Sequence, residues 1–374
     1  MIGARLGAVA EAGTRILEPV ELVEIGAEEA LDIDDFADFA VAQYYARRRR
    51  LVIRADGARA LGLGHVNRAL ALASELAEHL PVIATRADGD YALGADLLEA
   101  SPFAVRRLEG EAAFLPLLDE LRPDLVFLDC LDSALETLQA VKARAARVVT
   151  FEDRGPGAAL ADLVINDLYL DERLGERQLS GVEHALLAPA FDLMQPRPLP
   201  GERVETLLLL FGGTDPASLT ERTLEALAAI GFPGQVLVVE GPGRQDRPIE
   251  LAAYGLAGEV RRNVAFMPEV MLRADLAVSS AGRTVTELMC LGVPTLVLCQ
   301  NTKELLHSHA SPAFGVMNLG LGSLVSETTL QENLRLLLEQ PELRRSMQAR
   351  GLAATRNRSN QRIVKRILSL LEQG

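Results

Sequence analysis

Short apolar runs alternate with helical stretches along most of this chain, and the alternation happens twice. LVIRA, PVIAT, DLVFLD, RVVTFED and DLVIND come first, with helical segments such as HVNRALALASELAEHL between them; TLLLLFGG, QVLVVEGPG, DLAVSS and PTLVLCQ follow. Alternation of this kind implies βαβ units and mainly parallel sheets with helices on both faces. The segment DLMQPRPLPGERV, residues 192–204, carries three prolines, suits neither helix nor strand, and reads as an interdomain linker. Two doubly wound units in one chain leave a crevice between them, and such sheets bind ligands at the carboxyl ends of their strands. The expected class is therefore α/β, two facing Rossmann-like domains with a cleft. Their expected bounds are residues 50–195 and 205–357, preceded by an extension over 1–49 and followed by a helix over 358–374.

At 374 residues the chain is long enough for two cores, at about 150 residues per domain. Hydrophobic residues make up 49%, yet aromatics are only 4% and Trp is absent, so burial must come from Leu, Ala, Val and Ile. The net charge of −14 excludes a nucleic-acid scaffold, which needs a basic face to displace counterions, so any phosphate has to be met locally. Cys130, Cys290 and Cys299 form no CxxC pair, which fits a reducing compartment and argues against a disulfide framework or a zinc site. No run approaches the roughly 18 apolar residues of a membrane span, no signal pattern follows Met1, and the expected location is the cytoplasm. Arg47–Arg50 reads as a solvated linker rather than a lipid contact.

The extension reads as an extended piece around Val20–Ile25, then a helix to about Arg48 opened by Asp32, Asp34 and Asp35. Acids belong at a helix N-terminus, and capping is a commoner cause of such a triplet than a metal.

Four loops at strand ends carry the polar residues that chemistry needs. RADGARALGLGHVNR, residues 54–68, ends a strand and opens a helix, with Gly57, Gly62 and Gly64 allowing tight paths. His65, at that helix start, is placed to act as a general base, or else it is a capping, half-buried histidine. SSAGRTVTELMCLGVP, residues 279–294, has Ala281 and Gly282 turning near a ligand and Thr284 opening a helix, a site able to accept a diphosphate. Arg283 adds a charge there and Glu287 is set to accept bonds from ribose hydroxyls; the competing reading is an ordinary turn with a solvated Arg–Glu pair. LFGGTDP places Gly212 and Gly213 at a strand end, with Asp215 expected to cap a helix rather than catalyse. In CQNTKELLHSHA, Gln300, Asn301, Glu304 and His307 are candidates to face the cleft, the last two on one helix face if the segment is helical. His79 is expected to be structural, and His184 has no partner visible in sequence.

Read together, IRADGARALGLGHVNRALALA, VVTFEDRGPGAALADLVIND, HALLAPAFDLM, LLLLFGGTDPA, ADLAVSSAGRTVTELMCLGVPTLVL and QNTKELLHSHA resemble, in order, the blocks of the pseudaminic-acid-pathway UDP-sugar hydrolases and the related spore coat polysaccharide glycosyltransferase-like proteins. The resemblance runs from about Leu51 to the end. It implies a GT-B fold, a UDP-sugar substrate, no cofactor and no metal, with the nucleotide on the C-terminal domain and the acceptor approached from the N-terminal one. The final helix would cross back to the first domain. His65 would be the base, with Gly62, Gly64 and Arg68 beside the substrate; Gly282, Thr284 and Glu287 would hold diphosphate and ribose. Ala281-Gly282-Arg283-Thr284 and the QNTKELLH element depart from the hydrolase branch toward the spore coat branch. EEALDIDDFADFAVAQYY resembles the closing segment of sugar cytidylyltransferases, without their nucleotide-binding loop, so that activity is not expected.

The expectation that follows is metal-independent cleavage of a UDP-sugar at its anomeric C–O bond, with His65 activating water. A glycosyltransferase that replaces water by a sugar or lipid-linked acceptor is the first rival, and a non-catalytic nucleotide-sugar binding subunit the second. The sequence leaves the oligomeric state open, a homodimer included.

Overall fold

The computed structural model describes residues 6–14, 25–26, 30–170, 173–244, 248–262 and 264–372. Two compact units divide the chain, Met1–Arg48 and Arg49–Gly374. The first holds α1 (Leu6–Ala12) and α2 (Phe36–Arg47). Asp35 opens α2 because its carboxylate accepts the N–H groups of Ala37 at 2.7 Å and Asp38 at 3.0 Å, while Asp38 accepts the N–H of Asp35 in return. This reciprocal cap explains the acidic cluster as helix initiation. Of the extended piece expected around Val20–Ile25, residues 20–24 lie outside the described residues.

The second unit contains two sheets. Its first half runs β1 (Leu51–Ala55), α3 (Gly64–Glu75), β2 (Val82–Arg86), α4 (Ala92–Glu99), β3 (Ala104–Leu108), α5 (Phe114–Leu121), β4 (Leu125–Asp129), α6 (Leu135–Lys142), β5 (Arg147–Phe151), β6 (Leu163–Asn166) and β7 (Gln178–Ser180). The strands pair in parallel in the order β3-β2-β1-β4-β5-β6-β7. Strands β1 and β4 are apolar nearly end to end because both faces are covered. Leu51, Ile53, Phe127 and Val149 face α3, whereas Val52, Val126 and Val148 face α5 and α6.

The second half runs β8 (Thr206–Leu210), α7 (Leu219–Ala229), β9 (Gln235–Glu240), β10 (Ala257–Arg262), α8 (Met267–Leu272), β11 (Leu276–Ser279), α9 (Thr284–Cys290), β12 (Thr295–Cys299), β13 (Val316–Leu321), α10 (Glu327–Glu339), α11 (Pro341–Thr355) and α12 (Asn360–Glu372). Its parallel order is β10-β9-β8-β11-β12-β13. Leu207, Leu209, Val236 and Val278 bury into one core; Leu208, Leu210, Leu237 and Ala277 bury into the other.

Residues 194–205, between the sheets, form neither helix nor strand. The buried Arg344 donates to the carbonyls of Gly201 at 2.7 Å and Glu202 at 3.0 Å, and Gln348 donates to Pro198 at 3.0 Å, so α11 satisfies a connection whose prolines cannot pair as a strand. After α11 the chain returns to the first half, where Ile363, Val364, Ile367 and Leu370 of α12 join the core beside α3 and β5. Among the described residues no helix is long and apolar enough to cross a membrane.

Candidate functional site

All the chemistry-bearing loops leave the carboxyl ends of strands. After β1, Gly62 takes φ +86°, a left-handed path that favours glycine, and Gly64 starts α3. His65 follows on the first turn, 6% exposed. Its Nδ1 lies 2.5 Å from Oδ1 of Asp129, the last residue of β4. A carboxylate can only accept, so Nδ1 carries the proton and the neutral ring keeps its lone pair on Nε2. His65 is thus a buried histidine held by an aspartate while still lining a cavity.

Behind it, Arg68 is sealed, 1% exposed. It grips Asp129 through Nε at 2.6 Å and Nη2 at 2.5 Å, and its Nη1 donates to Glu152 and, at 3.4 Å, to Asp167. The expectation that Arg68 touches substrate is therefore corrected: carboxylates occupy its guanidinium, and it does not line the cavity. Glu152 and Asp167 follow the ends of β5 and β6. Glu152 has φ +51°, a left-handed conformation rare for a residue with a Cβ, and it lines the cavity.

Three carboxylates thus face two guanidiniums, since Arg283 of the second sheet donates to Asp167 at 2.7 Å. Burial opposes protonation of His65, but Asp129 and Glu152 outweigh it and raise its pKa above 6.5. Burial works against the charge on Asp129 and Glu152, yet Arg68 and His65 overcome it; Asp129 is held well below the usual range and Glu152 at about 2. For Asp167 burial wins over Arg283 and Arg68, and its pKa is raised.

Across the cavity stands the loop after β11. Gly282, Arg283 and Thr284 line it, and among the described residues no acceptor takes their N–H groups. Ala281 departs from expectation: it is fully buried and its N–H donates to Glu304 at 3.1 Å. Arg283 departs too. Its guanidinium reaches Asp167 and the carbonyl of Leu186, so it bridges the sheets instead of standing free or pairing with Glu287. Glu287 lines the cavity, and burial, only partly opposed by Arg283, pushes its carboxyl up to about 7.

The residues after β12 line the same cavity but chiefly brace these loops. Glu304 also accepts the N–H of Gln300 at 2.7 Å, and His307 Nδ1 donates to the carbonyl of Ala281 at 2.7 Å, so the peptide groups on both sides of Ala281 are held. Only Glu304–Leu306 is helical, as a single 3₁₀ turn, and His307 lies beyond it. His309 donates through Nε2 to Gly282 at 3.1 Å, and burial together with His307 pushes its pKa down to about 4. Asn301 accepts the N–H of Lys303 and Glu304. Gln300 donates to Asp215 at 2.7 Å, while Asp215 accepts the N–H groups of Leu219 and Thr220 and caps α7. Gly212 has φ +74°, and a Cβ on Gly213 would lie 2.5 Å from Leu63 Cδ1 of the facing loop, so a side chain there would require Leu63 to shift.

The cavity between the two halves measures about 470 Å³, within the range of small-molecule sites. His65, Gly62, Gly64, Gly212, Gly213, Gly282, Arg283, Thr284, Glu287, Gln300, Asn301, Glu304 and His307 all border it. Glu152 and Tyr169 border it as well and were not singled out in the sequence. Outside it, His79 Nδ1 accepts the N–H of Arg49 and His184 Nδ1 donates to Ser180, both local roles.

No protein-family model matches the chain. It is 26% identical over 347 residues, 86% of this chain and 98% of the relative, to the spore coat polysaccharide biosynthesis protein SpsG of Bacillus subtilis. It is 27% identical over 273 residues to an uncharacterized protein of Methanocaldococcus jannaschii; that match takes in 67% of this chain and 56% of the archaeal protein, little more than half its length. Among solved structures, MurG of Acinetobacter baumannii superposes with a TM-score of 0.58 at 15% identity, covering 87% of this chain and all of that one. LpCGTa, solved in complex with UDP, gives 0.60 at 16% identity over 86% of this chain and 99% of its own. The chain has the GT-B fold, two Rossmann-like halves facing a cleft.

Proposed function

We propose that the chain is a nucleotide-sugar glycosyltransferase of polysaccharide biosynthesis, moving a sugar from a UDP-sugar to an acceptor hydroxyl with inversion at the anomeric carbon. The observation that carries this reading is the His65–Asp129 pair, whose histidine borders a cleft bounded on its far side by the unpartnered amides of Gly282–Thr284. The similarity to a spore coat polysaccharide protein and to a GT-B structure solved with UDP supports the choice of pathway and leaving group.

In this reading His65 Nε2 takes the proton of the acceptor hydroxyl as its oxygen attacks the anomeric carbon, and the bond to the diphosphate oxygen breaks on the opposite side. The base becomes an imidazolium beside Asp129 and near Glu152, whose negative charges stabilise it. Stabilisation that grows as the proton moves lowers the barrier rather than merely binding substrate. The amides at Gly282–Thr284 receive the charge left on the diphosphate, and Glu287 accepts hydrogen bonds from the ribose hydroxyls.

The test incubates the protein with a panel of UDP-sugars in ¹⁸O-water, with and without surface-glycan acceptors. Release of UDP only when an acceptor is present supports transfer. Label in a free sugar makes the protein a hydrolase, and tight binding without any product makes it a binding subunit. His65→Ala is expected to slow turnover by about 10²- to 10⁴-fold.

A further inference from the structure

A departing diphosphate needs positive charge, and the arginine expected to supply it is engaged elsewhere. Arg283 donates to Asp167 and Leu186, and Arg68 is enclosed by Asp129, Glu152 and Asp167. Two other cations border the same cavity. Arg59, on the loop after β1, donates through Nε to the carbonyl of Gly243, on the loop after β9, at 3.3 Å. That single bond carries its side chain across the cleft onto the opposite half and leaves both terminal amino groups without a protein acceptor among the described residues. Lys303 sits in the turn after β12, where the Asn301 side chain accepts its main-chain N–H at 3.0 Å and fixes the turn. Among the described residues, no carboxylate pairs with its ammonium.

We propose that Arg59 and Lys303, one from each half, clamp the diphosphate of the bound nucleotide. This deepens the reading of the cleft as a UDP-sugar site and rests on it. The chain's net charge of −14 and the carboxylates behind His65 make an unassisted dianion unwelcome here, so the unpaired cations on the rim are the groups that offset it. Arg59 offers a planar fork suited to two phosphate oxygens, and Lys303 a mobile point charge. Because the two come from different halves, the clamp is complete only when the cleft is closed. Closure would thereby bring leaving-group stabilisation and the base together.

The test is calorimetric titration of the full chain and of Arg59→Ala, Lys303→Ala and the double variant with UDP, uridine and pyrophosphate. Both side chains are exposed, so the variants are expected to fold. Each single variant should weaken UDP binding on the order of tenfold while moving uridine by less than about twofold. Pyrophosphate binding should disappear in the double variant, and Arg59→Lys and Lys303→Arg should keep most of the UDP affinity. A UDP-to-uridine affinity ratio unchanged in both alanine variants overturns the clamp while leaving the UDP-sugar reading in place. Wild-type protein that binds pyrophosphate through these residues, but UDP no better than pyrophosphate, overturns the UDP-sugar reading and keeps the clamp.

Discussion

His65 and Asp129 behave as one unit, and pH is the natural probe of it. Because Asp129 and Glu152 raise the pKa of His65 despite its burial, the base is unprotonated only above the ordinary histidine value, and kcat/KM should fall as pH drops through a point above 6.5. Asp129→Asn removes the charge that raises it, so the acid limb should move to lower pH while the plateau falls by roughly 10²-fold or more as the ring loses its orienting partner. A limb that stays in place in the variant would mean that His65 is not the group titrating. His65 was legible because a histidine opening a helix after a glycine turn is unusual in itself. Its partners were not. Asp129, Glu152 and Asp167 sit at or just after the ends of the runs LVFLD, VVTFE and LVIND, where acids look like solvated strand termini. Only the parallel order, which sets β1, β4, β5 and β6 side by side, carries them to Arg68, from which they stand 61 to 99 positions away.

Elements were easier to foresee than their neighbours. Strands covered on both faces must be nearly all apolar, so LVIRA, LVFLD and TLLLL declare themselves, and Asp35 and Asp215 cap helices as their sequence positions suggested. Gln300, Asn301, Glu304 and His307 do border the cleft as their polarity suggested, but only Glu304–Leu306 is helical, and what these side chains bond to could not be read from the sequence. Their actual partners, the peptide of Ala281 and the cap of α7, belong to loops that sequence periodicity does not join. The closing helix shows how far a pattern can reach. SNQRIVKRILSLLEQ announces an apolar stripe, but the stripe alone does not say which core it enters. Ile363 and Ile367 enter that of the first sheet, Ile367 with no exposed surface. Ile367→Ala should therefore cost about 2–5 kcal/mol of stability in urea unfolding, as a core truncation does. A cost near zero would show that α12 does not secure the first half.

The two halves of the second unit meet across the cleft through contacts of different chemistry. Leu63 meets Gly213, Ser308 donates to the carbonyl of Leu168 at 2.9 Å, and Arg283 meets Asp167. The last is the most consequential, because Asp167 is sealed at 2% exposure and already shares Arg68 with two other acids. Removing the arginine leaves a buried carboxylate with less compensation, which in buried pairs costs about 3–5 kcal/mol, whereas replacing both partners costs far less. Arg283→Gln alone should lower the melting temperature more than Arg283→Gln combined with Asp167→Asn, giving a coupling of about 0.5–3 kcal/mol in the double-mutant cycle. The sign also follows from protons: Asp167 has a raised pKa, so native-state stability tied to its protonated form is lost as pH rises through that value. Taking away Arg283 raises it further, so the single variant should lose more at pH 8 than at pH 5, and Asp167→Asn should remove that pH dependence. Strict additivity at every pH would mean that this pair does not couple the two halves.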